Sequence, residues 1–185
     1  MRRRRLPTVC ACLVAGAASA YAGASTDGQP LASAAGHRPK PHRTPVNKSP
    51  DLWATINVCD TKDHPDTVGI RGSMPGLGKP ARLRMRFRVQ YLDEKNTWRF
   101  SGATGDSGYQ RVGHASKKVL ESGQNFMFDA PDTGALTLRG VIQFRWIRHG
   151  KPVKELRRLT DVGHRSTAGA DPAGYSAQTC DISAS

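Results

Sequence analysis

Arg82-Leu83-Arg84-Met85-Arg86-Phe87-Arg88-Val89-Gln90-Tyr91 alternates strictly between polar and apolar side chains. A helix would scatter the four arginines round its axis. An extended strand puts them on one face and the five apolar residues on the other. The stretch therefore predicts a β-strand with one buried side and one strongly cationic side.

Working outward, the same two-residue period recurs. Leu52, Ala54, Ile56 and Val58 alternate with Trp53, Thr55, Asn57 and Cys59 and predict a first strand. Val68, Ile70 and Met74 mark a second, closed by Pro75-Gly76-Leu77-Gly78. After Asp93-Glu94-Lys95-Asn96, Thr97-Trp98-Arg99-Phe100 is a short return, and residues 101–108 are Gly- and Ser-rich loop. Tyr109–Val112, Lys118–Leu120 and Asn125–Phe128 are short strand candidates. Thr137–Arg148 is long, with Leu138, Ile142, Phe144 and Trp146 on one face. His149-Gly150-Lys151 has hairpin chemistry, and Pro152–Thr160 returns, although its Val153–Leu159 part also fits a helical turn. Tyr175–Ile182 supplies the last strand. Seven to nine short antiparallel strands with turn signals between them predict an all-β sandwich.

The segment Leu138-Arg139-Gly140-Val141-Ile142-Gln143-Phe144-Arg145-Trp146, followed by a Gly hairpin, resembles the penultimate strand of immunoglobulin-like or fibronectin-III-like domains in exported actinobacterial proteins of unknown function. The resemblance covers about residues 52 to 182 and implies an immunoglobulin-like β-sandwich. The cysteines depart from that pattern, because Cys59 and Cys180 would join the first and last strands rather than two inner ones.

The start of the chain carries an address. Met1-Arg2-Arg3-Arg4-Arg5, an apolar run to Ala18 and the small-x-small triplets Ala18-Ser19-Ala20 and Ala20-Tyr21-Ala22 read as a secretory signal peptide over residues 1–22. No stretch of the mature chain is long and apolar enough to span a bilayer. Residues 23–50 are rich in Ala, Gly, Pro and Ser and include His37-Arg38-Pro39-Lys40-Pro41-His42-Arg43, a flexible basic linker by composition. Residues 51–185 form the expected sandwich domain. Cys10 and Cys12 leave with the signal, so Cys59 and Cys180 are expected to form one disulfide in an oxidising compartment. Closing a loop of that length is worth about 4–5 kcal/mol in the chain-entropy model.

Of the 28 Lys and Arg, 20 lie from Asp51 onward, against 14 of the 15 Asp and Glu, a surplus of six. Such a surplus favours anionic partners, although an Arg-rich composition also arises without a functional cause. Arg82, Arg84, Arg86 and Arg88 are the candidate ligand contacts, extended by Arg139 and Arg145 if the Thr137–Arg148 strand lies alongside. Neighbouring same-face side chains on a strand stand roughly 6.6–7 Å apart, close to the roughly 6–7 Å between phosphates of a phosphodiester chain. Four like charges in a row need compensation by acids, bound anions or water. No aromatic residue is expected on that face, which counts against single-stranded nucleic acid.

Other motifs carry less. Gly105-Asp106-Ser107-Gly108 resembles the serine motif of chymotrypsin-like proteases, but Tyr109 stands where that family has Gly, and a tight surface loop suffices. Asp132-Thr133-Gly134 matches the aspartic-protease tripeptide, yet Ala130-Pro131 precedes it and cannot continue a strand. Asp60, Asp63, His64 and Asp66 fit a calcium loop poorly in spacing, and His64, His114, His149 and His164 are too scattered for a metal motif. No catalytic, metal or cofactor site is therefore expected. The expected function is a secreted, non-catalytic binding or structural module of the cell surface. Its partner would be an anionic wall polymer or a surface protein. The alternative is a small extracellular hydrolase whose site carries no recognisable motif.

Overall fold

The computed structural model describes residues 44–164 and 168–184. The expected signal peptide and most of the expected linker lie outside the described residues. A 3-10 turn at Val46–Lys48 precedes nine strands. Val46 packs against the core, and Arg158 donates to the Asn47 carbonyl. The strands are β1 (Trp53–Cys59), β2 (Thr67–Pro75), β3 (Ala81–Leu92), β4 (Trp98–Phe100), β5 (Asp106–Ala115), β6 (Val119–Met127), β7 (Ala135–Arg148), β8 (Lys151–Leu159) and β9 (Thr179–Ser183).

They form a β-sandwich of two antiparallel sheets. One is three-stranded in the order β1-β2-β6. The other holds six strands but is four strands wide. Its two long strands, β3 and β7, pair along Arg82↔Ile147 to Tyr91↔Leu138 and form its centre. The free edge of β3 is shared by β5 and β4, and that of β7 by β8 and β9.

The alternation in β3 is realised as read. Leu83, Met85, Phe87 and Val89 are fully buried, while the intervening residues face outward. In β7, Leu138, Ile142, Phe144 and Trp146 occupy the same core. The two sheets meet closely enough that glycine is needed at the contact. A Cβ on Gly140 would lie 2.6 Å from Thr160 Cγ2 and 2.9 Å from Ile70 Cγ2. The Trp146 indole donates to the Pro75 carbonyl across the sandwich at 2.8 Å, so this buried polar group is satisfied.

Several elements differ from the sequence reading. Lys118–Leu120 and Asn125–Phe128, read as two strands, merge into the single strand β6, and the last strand opens at Thr179 rather than Tyr175. Asp106, Ser107 and Gly108, expected in a loop, open β5. Ser107 Oγ accepts from the Phe87 amide at 2.9 Å, replacing a ladder bond where the β3–β5 register shifts. The ambiguous Val153–Leu159 is strand, because β7 offers it a complete edge from Val141 to Arg148. The hairpin between them is tight. His149 (φ 49°) and Gly150 (φ 77°) both adopt the left-handed region between the paired Arg148 and Lys151, as a two-residue type I′ turn requires. Cys59 and Cys180 are bonded, with Cα atoms 5.4 Å apart, and connect the two sheets through β1 and β9.

Candidate functional site

The outward side of the six-stranded sheet is assembled from its registers. Across β5, β3 and β7 run the rows Arg111–Arg84–Arg145, Tyr109–Arg86–Gln143 and Asp106–Arg88–Val141. Row members share a face because directly opposed residues of antiparallel strands do. Beyond β7, Glu155 lies opposite Arg145 and Arg157 opposite Gln143. Further along, Phe100 pairs with Gln90, which pairs with Arg139. All six candidate residues, Arg82, Arg84, Arg86, Arg88, Arg139 and Arg145, thus lie on one face, joined by Arg111 and Arg157.

The charges are partly compensated from within the protein. Asp106 takes a two-pronged interaction from Arg86, with Nε donating to Oδ1 at 2.7 Å and Nη2 donating to Oδ2. Arg88 Nε lies 3.3 Å from the same Oδ2. Arg145 Nε lies 2.9 Å from Glu155 Oε1. Hydrogen bonds from Arg86 hold the Asp106 carboxyl below the usual carboxylate range, aided by the Gly108 amide and the Arg88 charge and opposed by burial. The same hydrogen bond raises the Arg86 guanidinium. Arg139 is pushed down, first by burial and then by the nearby charge of Arg157, so repulsion on the face is not fully relieved.

Contrary to the sequence expectation, aromatic rings are present on this face. Arg88 Cζ sits 3.5 Å above the Phe100 ring centroid, Arg139 Cζ 4.1 Å above Trp98 and Arg145 Cζ 3.9 Å above Tyr109. Reading β3 and β7 alone missed these rings, because β4 and β5 bring them in from the edge. The face is therefore an arginine–aromatic lattice. A guanidinium stacked on a ring keeps its donors at its edge, so it can still grip an oxyanion while its side chain is already ordered. The side chains of Arg82, Arg84 and Arg157 make no hydrogen bond, ion pair or ring contact among the described residues.

The protease-like motifs are built as structure. Ser107 Oγ accepts from Phe87 and donates to the Gly108 carbonyl at 2.8 Å, which leaves its hydroxyl committed to the backbone. Gly134 turns the chain at φ 75° beside the exposed Asp132 and Thr133. In the Asp60–Asp66 loop, Asp60 Oδ1 accepts the Asp66 amide at 2.9 Å, closing the loop on itself. Among the described residues no cluster of His, Cys, Asp and Glu is arranged to hold a metal ion, and no helix is long and apolar enough to cross a membrane. No protein-family model and no curated protein matches the chain.

Proposed function

We propose that this chain is an exported, non-catalytic binding module of the cell surface whose outer sheet face holds an anionic polymer of the phosphodiester type. One observation carries the reading: eight arginines and three carboxylates, Asp106, Glu155 and Asp181, share one sheet face, and four of the arginines are held in place by rings, acids or both. Pre-ordered side chains lose less entropy on binding, so such a face gains affinity without needing a deep cavity. Strand pleat spaces the same-face arginine positions at roughly 6.6–7 Å, close to the repeat of such a chain. The rings are already stacked against arginine, so charge rather than base stacking would provide the grip. That disfavours single-stranded nucleic acid as the partner. The disulfide between Cys59 and Cys180 is compatible with export.

The test is binding of poly(glycerol phosphate) by the mature protein and by Arg84→Gln/Arg157→Gln. Neither side chain makes a hydrogen bond, ion pair or ring contact among the described residues, so the double variant leaves the contacts of the lattice intact. Roughly tenfold weaker binding is expected from the loss of two charge-assisted contacts. Unchanged affinity would remove the face as the binding surface.

A further inference from the structure

At one end of the arginine face lies a hollow of about 180 Å³ between the start of β3, the end of β5 and the β7–β8 hairpin. Its polar lining is Arg82, His114, Arg148 and His149, with Pro80 and Ile147 as apolar wall. No carboxylate lines it. This differs from the rest of the face, where Asp106 and Glu155 occupy arginines.

The donors are set up for an anion. Arg148 lines the hollow, and its Nε is buried with no hydrogen-bond partner among the described residues. Arg111 Nη2 lies 3.2 Å from His114 Nδ1. A guanidinium can only donate, so Nδ1 accepts, the proton resides on Nε2, and that N–H is left for a ligand. His149 is fixed by the type I′ turn, whose left-handed φ of 49° Gly150 continues. Two arginines and two histidines thus line a hollow large enough to admit a phosphate group.

We propose that this hollow is a phosphate site that takes the terminal phosphomonoester of an anionic chain lying along the arginine face. The choice of chain rests on the function proposed above; binding of phosphate itself does not. A dianionic end group suits two arginines and two histidines with no opposing acid better than an internal phosphodiester, which carries a single charge. The site would therefore set the polarity and starting register of the bound chain.

The test follows the imidazole resonances of His114 and His149 by NMR during titration with inorganic phosphate, then with glycerol phosphate oligomers bearing or lacking a terminal phosphomonoester. Saturable shifts with phosphate are expected in the wild type. They should weaken roughly tenfold in Arg148→Gln and in His149→Asn. The second variant installs Asn-Gly, a favoured type I′ pair, so the hairpin stays intact. The oligomer with the end group should bind more tightly than the one without. Absence of saturable phosphate binding, or equal binding by both variants and wild type, overturns the site. Equal affinity for the two oligomers overturns its role as an end-group reader. The two proposals fail separately: Arg84→Gln/Arg157→Gln tests the face and leaves the four residues of the hollow unchanged.

Discussion

Asp106 accepts Arg86 through both oxygens and lies 3.3 Å from Arg88, so one carboxylate serves two guanidinium groups. Its side chain is 15 % exposed, which places the pair between a surface ion pair and a buried one. The two-pronged geometry and partial burial favour the upper end of the surface range. Asp106→Asn is expected to cost about 1–2 kcal/mol in chemical denaturation. The pH dependence has a definite sign. The folded-state carboxyl is depressed, chiefly by the Arg86 hydrogen bonds. Its contribution is complete above the ordinary carboxylate value near pH 4 and is lost as pH falls through the lowered folded value. Wild type should therefore lose more stability than Asp106→Asn on acidification below about pH 4. Parallel acid denaturation curves would contradict this. A compensating acid was foreseeable from the sequence, since four like charges in a row require one. Its identity was not, because Asp106 sits in a Gly-Asp-Ser-Gly stretch whose composition favours a turn.

At the scale of elements, β3 and β7 were legible because each has one side in the core and one in solvent, which writes the period of two into the sequence. β5 was not. Its residues are nearly all half-buried on both sides, so Ser107-Gly108-Tyr109-Gln110-Arg111 shows no alternation. The Trp98, Phe100 and Tyr109 rings were lost to view for the same reason, since they reach the arginine face only through pairing at the edge of β3. β8 is exposed along most of its length, and only its pairing with β7 distinguishes it from a helical turn. The contact between sheets offers a direct check. Gly140→Ala would place a methyl against Thr160 Cγ2 and the branched Ile70 side chain. Both neighbours are stiff at their first torsion, so overpacking of about 1–3 kcal/mol is expected, read as a lower urea midpoint. A neutral substitution would mean that the sheets are less tightly apposed than described.

For the whole molecule, the sequence already indicated an all-β sandwich and the pairing of Cys59 with Cys180. The disulfide closes a separation of 121 residues and joins β1 of one sheet to β9 of the other. Cys59→Ser/Cys180→Ser is expected to lose about 4–5 kcal/mol of stability in the chain-entropy view, with secondary structure retained under native conditions. An unchanged denaturation midpoint would contradict that. The surplus of six positive charges from Asp51 onward was equally visible in the composition. Its concentration was not, because that depends on strand order. Interleaving β5, β3, β7 and β8 gathers Arg111, Arg84, Arg145 and Arg157 onto one side. The most direct measurement is the salt dependence of poly(glycerol phosphate) binding by the mature protein. Each phosphate contact contributes a slope of roughly −0.7 to log affinity against log salt, by analogy with single strands. At least three contacts are expected, giving a slope steeper than about −2. Binding that is absent at low salt, or indifferent to salt, would contradict the account.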